Sequence, residues 1–432
     1  MPGRLNSFQK SMLQWNDLHA YNAVHVARIP AALDFERLRG VITTTLEGHG
    51  LTGLSYNRSA GTYQYAGGPA LVEVKLCPMG ESWSMGYARE TERQLNMPFA
   101  PSERFTPFRF FVVPEEDSFS LGLVYFHPIA DAESILHLLK ELVETYRGIV
   151  EPGHGGALDL YPPGEGRRLR LHPGALARKL AALPSFIRNL RKSSRPPFRD
   201  PGDLANRFTL FSLGPSDLRD LIQGAKSLGV SLNDLFLARL LKGVATLIPD
   251  RTRAVRRRGI SLGCIVNVRR DLGLSGQRVF GLFLGSFVVH HEVPANLELA
   301  EVARDIGLQT RAIKQGRLYL GTALELALGR LMISWSSVAR RNNFYPKHYP
   351  LWGGLTNMNL NPLWPQSPDH PSIDYFRAVS TGPATPLVFS ITTLGQVAHI
   401  GVSYRSTVFS EPEIERLKAG FLEPLGSLAG PL

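Results

Sequence analysis

The hydrophobic pattern of the chain changes period near residue 127. Residues 108–113 and 119–126 are nearly continuous apolar runs, separated by a polar turn at 114–118, which is typical of two paired strands. Beyond Asp131, apolar residues recur every three or four positions up to Tyr146, which is helical spacing. Asp131 or Ser134 can cap this helix and Gly148 can end it. The pattern therefore predicts a strand, a short turn containing His127, and a helix.

The same reasoning predicts further elements in the second half of the chain. Strands are expected at 208–213, 260–268, 280–290, 387–393 and 397–404, and helices at 216–228, 231–248, 297–315 and 322–340. Ser231 caps the second of these helices, and Ser410 with Glu413 forms a capping box before a final helix. Residues 341–374 are predicted as a loop with one short strand at 355–360. Mixed strands and helices in both halves favour an α/β sandwich of two similar lobes.

Composition divides the chain into three regions. A Pro- and Gly-rich stretch covers 151–166, and a basic segment follows it. We predict an N-terminal lobe at 1–164 that carries the His127 motif, a partly helical basic linker at 165–205, and a C-terminal lobe at 206–432. The 432 residues suffice for two lobes with sizeable cores.

The formal charge of +11 is concentrated in one segment. Residues 165–199 hold ten Lys or Arg against the single acid Glu165. They also carry apolar residues at roughly helical spacing, interrupted by Pro184: Leu176, Leu180, Leu183, Ile187 and Leu190. Such a stretch can lie on an anionic membrane surface, or it can be a solvated linker whose apolar stripe packs on its own protein. No motif that reads DNA or RNA accompanies the charge, so we expect no nucleic-acid partner.

Several classes of protein are disfavoured by composition. The sequence is 44% hydrophobic and 20% charged, which is typical of a globular protein, and it has no run of about 18 apolar residues. No secretory signal is visible near the N-terminus, and Cys77 and Cys264 lie far apart without metal-type spacing. We therefore expect a cytoplasmic protein, with peripheral contact at the inner face of the membrane through 165–199 as the alternative.

The most informative single residue is His127. Histidine has an unperturbed pKa of about 6.5, so at a strand exit facing a cleft it is suited to general-base chemistry. The alternative is a core histidine satisfied by backbone groups. A metal site with Asp131 would need a third ligand that the sequence does not supply, and we expect no metal. P-loop and HExxH strings are absent from the sequence.

An ordered set of short motifs resembles the superfamily of CoA- and carrier-protein-dependent acyltransferases, which includes chloramphenicol acetyltransferase, condensation domains, polyketide-associated acyltransferases and wax ester synthases. The motifs are Tyr21-Asn22 with Leu33-Asp34 and Leu38-Arg39, the HxxxD string His127 to Asp131, Ser231 to Asp234, Val266 to Arg270, Phe280 to Gly285, and Thr356 to Asn359. The resemblance covers nearly the whole chain. It implies a two-lobed chloramphenicol acetyltransferase-like sandwich with an active-site tunnel between the lobes.

The resemblance also implies roles for individual residues. His127 would be the catalytic base, and Asp131 would be structural, paired with Arg269 or alternatively Arg270. Substrate-binding roles are implied for Asn233, Asp234, Gly285 and Asn357. Each of these has a structural alternative: the first turn of a helix for Asn233 and Asp234, close backbone approach for Gly285, and loop stabilisation for Asn357.

Two positions depart from the family pattern. Many members have a second His before the core His and a Gly after the Asp, where this chain has Phe126 and Ala132. Phe126 leaves the chemistry intact because the family uses the second His of the motif. Ala132 resists some backbone angles that Gly adopts, so it bears on the local geometry and on activity.

The resemblance therefore predicts an acyltransferase that moves an acyl group from a CoA or acyl-carrier-protein thioester to a hydroxyl or amine. No permanently bound cofactor is expected, because acyl-CoA or a phosphopantetheine-linked acyl group would be the substrate. The expected partners are acyl-CoA or an acidic carrier protein and a small alcohol or amine. Two alternatives stay open: a free-standing condensation enzyme that forms amides between carrier-bound substrates, and a non-catalytic scaffold of the same fold.

Overall fold

The computed structural model of the chain describes residues 2–78, 83–99, 104–151, 153, 156–162, 172–248, 250, 253–294, 297–334, 344–366 and 372–423. The chain forms two compact units, each assembled from separate stretches of sequence. Unit 1 comprises Met1–Leu171, Asn267–Leu284 and Leu360–Ser380, and unit 2 comprises His172–Val266, Gly285–Asn359 and Thr381–Leu432. Residues 267–284 and 360–380, which the sequence analysis assigns to the C-terminal lobe, thus lie in unit 1, and the linker residues from 172 onward lie in unit 2.

The elements of both units are numbered here in chain order. The strands are β1 Gly3–Arg4, β2 Asn22–Ile29, β3 Leu54–Asn57, β4 Thr62–Tyr65, β5 Glu73–Leu76, β6 Phe108–Pro114, β7 Phe119–Phe126, β8 Asn206–Leu213, β9 Ile260–Asn267, β10 Leu284–His291, β11 Gly353–Asn359, β12 Asp374–Val379, β13 Leu387–Leu394 and β14 Val397–Arg405. The helices are α1 Ser7–Asn16, α2 Phe35–Gly48, α3 Trp83–Asn96, α4 Ala132–Tyr146, α5 Pro173–Lys192, α6 Pro215–Ser227, α7 Leu232–Leu247, α8 Leu299–Gly316, α9 Thr322–Ser334 and α10 Glu411–Leu422.

Unit 1 is built on a five-stranded sheet with the order β12-β2-β7-β6-β5. Strand β7 lies at its centre, antiparallel to both β2 and β6, and all eight of its residues are buried. This burial on both faces explains why its sequence reads as a continuous apolar run. Strand β12 comes from late in the chain and pairs antiparallel with the outer edge of β2. A separate three-stranded sheet has the order β1-β4-β3.

Unit 2 is built on a six-stranded sheet with the order β10-β9-β11-β13-β14-β8. Strand β11 runs parallel to β9 and to β13, whereas the pairs β13–β14 and β14–β8 are antiparallel. Helix α7 is the most buried helix of this unit and packs against α8 and α10. Its apolar residues join the inward face of the sheet in one hydrophobic core.

Most elements predicted from periodicity are confirmed to within a few residues. The predicted strand at 280–290 is wrong at its start, because β10 begins only at Leu284. The region 341–374, predicted as a loop with a short strand, contains β11 at Gly353–Asn359, and β12 starts at its end. Of the helix predicted at 322–340, residues 322–334 form α9 and the remainder lies outside the described residues.

In the described part of the basic segment, from residue 172 onward, helix α5 spans Pro173–Lys192. Pro184 does not interrupt it, contrary to the sequence-based expectation. The predicted apolar stripe is divided between two faces, because Leu190 is buried while Leu180 and Ile187 are exposed. Arg167, Arg168 and Arg170 lie outside the described residues. In the described parts of the chain, we find no helix with the length and apolar character needed to span a bilayer.

Candidate active site

His127 lies where β7 ends and a single 3-10 turn, His127–Ile129, begins. Its backbone N–H donates to the carbonyl of Tyr21, 3.2 Å away, and the carbonyl of Pro128 accepts a 2.9 Å hydrogen bond from Nε2 of Gln9. The turn is therefore fixed from two sides within unit 1. Sequence reasoning missed Gln9, although its place in the capping box of α1 with Asn6 is visible in the sequence as Asn-x-x-Gln.

The orientation of the His127 ring determines which nitrogen can act as a base. Nδ1 lies 3.2 Å from the carbonyl oxygen of Ala130, and a carbonyl can only accept a hydrogen bond. The neutral ring therefore carries its hydrogen on Nδ1 and its lone pair on Nε2. The ring stacks on Tyr21 and meets Tyr125 edge-on, with centroids 5.5 Å away in both cases. These contacts hold the imidazole in one plane.

Burial keeps the His127 ring neutral. The residue is only 8% exposed, and this desolvation lowers its pKa to about 4. The hydrogen bond to Ala130 and the charge of Asp131 oppose the shift, whereas the cation of Arg377 adds to it. At neutral pH the imidazole is therefore unprotonated, which is the form that a general base requires.

A second layer of polar side chains lies beneath His127 in the same sheet. His25 on β2 has Nδ1 2.5 Å from the hydroxyl of Tyr375 on β12, and its ring meets Tyr125 edge-on at 5.5 Å. Arg377, directly opposite His25 across the strands, is also buried. Burial lowers the pKa of both His25 and Arg377, and the positive charge of Arg377 lowers the pKa of His25 further. Sequence reasoning missed this layer because β12 is distant in the chain from β2.

The carboxylate of Asp131 points toward the start of α4. Oδ1 accepts from the backbone N–H of Ser134 and from Nη2 of Arg269, both at 2.9 Å. Oδ2 accepts from the backbone N–H of Phe283 at 3.0 Å. Asp131 thus caps α4 and fastens it to residues 267–284 of the same unit. All of these bonds lead away from the ring of His127.

Arg269, rather than Arg270, is the partner of Asp131. Its Nη1 donates to the carbonyl of Val279 at 2.9 Å, its Nη2 also reaches the hydroxyl of Ser134 at 2.6 Å, and its guanidinium lies 4.4 Å from the ring centre of Phe283. Arg270 is exposed at the start of a 3-10 turn. The two Nη atoms are therefore paired with a carboxylate, a carbonyl and a hydroxyl, whereas the buried Nε forms no hydrogen bond with the described residues and lies 3.7 Å from Oε1 of Glu133.

Ser134 is a further member of this cluster that sequence reasoning gave only a capping role. Its hydroxyl donates to the carbonyl of Gly281 at 2.8 Å and lies 3.0 Å from the N–H of the same glycine. The N–H of Asp131 donates to that carbonyl too, at 2.9 Å. Gly281 is thus held by hydrogen bonds from the start of α4.

The two departures from the family pattern occupy ordinary conformations. Phe126 is buried in an aromatic cluster, with its ring stacked 6.1 Å from that of Tyr56. Ala132 is the first residue of α4 and does not have a positive φ angle. The backbone at this position therefore does not demand glycine.

Two of the residues named for substrate binding lie at the start of α7 in unit 2. Asp234 is buried, its Oδ2 accepts from the N–H of Ser231 at 2.9 Å, and its Oδ1 accepts from the hydroxyl of Thr310 at 2.7 Å. These bonds close a capping box and tie α7 to α8. Asn233, beside it, has its amide nitrogen 3.7 Å from the sulfur of Cys264. The contacts of Asp234 match the structural alternative.

The other two named residues lie on strands of the unit 2 sheet. Gly285 is buried on β10, and Asn357 is exposed on β11, opposite Ile391 of β13. Asn357 therefore belongs to the short strand predicted at 355–360. Its exposed amide is available to a ligand.

The structure of the chain is similar to known structures, whereas its sequence matches no known family. No family model matches the chain, and no curated protein is significantly similar to it in sequence. The structure resembles the first condensation domain of the calcium-dependent antibiotic synthetase in complex with substrate analogue 2a, with a TM-score of 0.71, 16% identity, and coverage of 99% of this chain and 96% of that chain.

Two further structures are similar over similar lengths. Polyketide synthase associated protein 5 from Mycobacterium tuberculosis has a TM-score of 0.64, 16% identity, and coverage of 98% of each chain. The epimerization domain from the third module of tyrocidine synthetase B has a TM-score of 0.63, 15% identity, and coverage of 99% of this chain and 97% of that chain. The chain therefore has the α/β fold of condensation domains, as the motif resemblance predicted. Because one fold hosts condensation and epimerization domains, the reaction has to be argued from the site.

Proposed function

We propose that this protein is an acyltransferase that moves an acyl group from a CoA or acyl-carrier-protein thioester to a hydroxyl or amine acceptor. The observation that carries the proposal is the state of His127. Its Nδ1–H is directed to the carbonyl of Ala130, its ring is buried and neutral, and among the described residues none forms a hydrogen bond with Nε2. A fixed, unprotonated nitrogen is what base catalysis at neutral pH needs.

The proposed chemistry uses no covalent enzyme intermediate. Nε2 of His127 removes the proton of the acceptor O–H or N–H as the acceptor attacks the thioester carbonyl carbon. The tetrahedral intermediate then collapses, the C–S bond breaks, and the departing sulfur takes the proton from Nε2. The ester or amide and the free thiol are the products, and His127 returns to its neutral form. Burial disfavours the intermediate imidazolium, whereas the nearby charge of Asp131 favours it.

The charge of the chain supports an anionic donor. A formal charge of +11 attracts the phosphates of CoA or the acidic surface of a carrier protein and raises the rate of encounter. An exposed amide on Asn357 could supply a hydrogen-bond donor to the developing oxyanion, which is the part of the proposal that concerns unit 2.

The direct test is release of free thiol from a panel of acyl-CoA and acyl-carrier-protein donors, with alcohols and amines as acceptors. H127A should abolish transfer while the unfolding midpoint changes little. The matched control is H137A, because His137 is an exposed histidine on α4, the helix that follows the motif. Undiminished transfer by H127A would overturn the assignment. Failure of the wild-type protein with every donor would instead favour the non-catalytic scaffold.

Amide formation between carrier-bound substrates is the second candidate, since condensation domains are among the proteins that share this fold. The two candidates differ in the acceptor, so the same assay separates them. An amine tethered to a carrier protein as the sole productive acceptor would select the condensation reaction. Product from a free alcohol with acyl-CoA would select ester formation.

A further inference from the structure

Helix α5 presents an unusual outward face. At 100° per residue, its exposed residues fall on one side and its buried residues, Ala175, Lys179 and Leu190, on the other. The inward side is held by an ion pair of 2.7 Å between Nζ of Lys179 and Oε1 of Glu325 on α9, with both side chains about nine-tenths buried. Gly321 permits this approach, since a Cβ there would lie 2.4 Å from Cγ of Lys179.

The exposed side of α5 is apolar along most of its length. Leu180 is 51% exposed and Ile187, two turns later on the same face, is 40% exposed. Ala177, Ala181 and Pro184 lie between and beside them and are also exposed. A surface helix normally turns such residues inward, so this arrangement needs a partner that accepts apolar side chains.

The same face becomes basic in the last turn and a half of the helix. Arg188, Arg191 and Lys192 are exposed and follow directly on the apolar stripe. In the described stretch 172–199 there is no Asp or Glu, and the one basic residue of α5 that has a carboxylate partner among the described residues is the inward Lys179. Arg178, also exposed, donates to the carbonyl of Gly316, which leaves its charge uncompensated.

Helix α9 adds to the apolar character of this region. The ion pair holds α9 against α5, and Leu328 and Leu331, one and two turns after Glu325, are 40% and 57% exposed. Two adjoining helices of unit 2 thus expose four large apolar side chains. An apolar stripe continuous with unpaired cations matches the chemistry of an anionic lipid surface, in which acyl chains lie below negatively charged headgroups.

We propose that α5 is an interfacial helix that docks this protein on an anionic membrane surface. Leu180 and Ile187 would insert among the acyl chains near the headgroup boundary, and Arg188, Arg191 and Lys192 would contact the phosphates and carboxylates of the headgroups. This docking does not depend on the proposed acyl-transfer chemistry, because none of these residues belongs to the candidate active site.

The test is flotation of the full chain with phosphatidylcholine vesicles, with and without phosphatidylserine. We expect binding only when phosphatidylserine is present. R188Q/R191Q/K192Q should weaken it by roughly fivefold per cation, or about a hundredfold in all. The matched control R219Q/K226Q/R304Q removes the same charge from exposed positions on α6 and α8 and should retain most of the binding.

The apolar contribution has its own variant. L180S/I187S should lower the affinity for these vesicles by about tenfold or more, because the variant buries less apolar area in the membrane. This loss should persist at high salt, whereas the contribution of the cations should shrink. The control L308S/V255S removes exposed apolar residues elsewhere in unit 2 and should have little effect. Circular dichroism of each variant checks that the fold is retained.

Three results would overturn the proposal: no binding of the wild-type chain to phosphatidylserine vesicles, equal losses in the α5 variants and their controls, or unchanged binding in both α5 variants. A wild-type chain that ignores vesicles but binds an acidic carrier protein through Arg188, Arg191 and Lys192 would assign this face to a protein partner instead. Acyl-transfer assays without lipid should be unaffected by these variants, so failure here leaves the role of His127 untouched.

Discussion

Nη2 of Arg269 lies 2.9 Å from Oδ1 of Asp131, with the two side chains 4% and 1% exposed. Because Asp131 also caps α4, this ion pair joins the segment 267–284 to the helix that follows the His127 turn. The carboxylate belongs to the framework of the site and does not bond to the imidazole. Substitution of Asp131 should therefore mainly lower stability, whereas substitution of His127 should mainly lower activity.

Replacing Asp131 by Asn should destabilise the protein by roughly 3–5 kcal/mol, since the buried guanidinium of Arg269 loses the nearer of its two carboxylate partners and keeps only Glu133, 3.7 Å from its Nε. Urea unfolding followed by tryptophan fluorescence measures the change. The control is R39Q, which removes an ion pair to Glu36 whose two side chains are 54% and 77% exposed. That exposed pair should contribute about 1 kcal/mol or less. Equal urea midpoints for D131N and the wild-type protein would mean that the ion pair does not stabilise the fold.

The pH dependence of transfer should report the environment of His127. Burial lowers its pKa to about 4, so kcat/KM should stay level from pH 7 to about 5 and fall below that as the base becomes protonated. Arg377 contributes to this lowering, so R377Q should move the acid limb to higher pH. An acid limb of the kcat/KM profile centred near pH 6.5 in the wild-type protein would show that the ring of His127 is solvated.

The free energy of unfolding should decrease as the pH is lowered from 6.5 to 4. The folded protein holds His127 neutral down to about pH 4, whereas the unfolded chain binds a proton at the ordinary pKa of about 6.5, so acidification favours unfolding. Burial lowers the pKa of His290 to about 4 as well, and that of His25 falls by the same cause. His127 alone should account for roughly 3 kcal/mol of the loss. The measurement is urea unfolding at a series of pH values, in which H127Q should show a shallower fall; identical slopes would contradict it.

In unit 2, substitution of Asp234 should lower stability, whereas substitution of Asn357 should leave stability nearly unchanged and test activity. D234A removes the capping-box acceptor and the partner of Thr310, and should cost about 1–3 kcal/mol of stability. N357A alters an exposed strand position and should change stability by less than about 0.5 kcal/mol. If its amide stabilises the oxyanion, kcat should fall about a hundredfold. Unchanged kcat in N357A would remove it from the proposed site while leaving His127 in place.

The local pattern of apolar and polar residues was sufficient to predict much of the fold. The continuous apolar run of β7, the helical spacing of α4, the cap at Ser231 and the capping box at Ser410 are all encoded within short windows, and the structure has them nearly where predicted. These features depend on backbone and nearest-neighbour chemistry, so a single sequence reveals them. The start of β10 was misplaced because the apolar residues before it pack and bond elsewhere: the N–H of Phe283 donates to Asp131 and its ring lies against the guanidinium of Arg269, while the ring of Phe280 packs on Phe108.

The sequence by itself determined the turn that carries His127, the helix that follows Asp131 and the charge of α5. Tertiary structure alone decided that Arg269 and not Arg270 pairs with Asp131, that β12 brings Tyr375 and Arg377 to His25, and that Leu180 faces outward while Leu190 is buried. The physical reason is the same in each case. Pairing across hundreds of residues and the choice of which helix face is buried depend on neighbours that no local window contains.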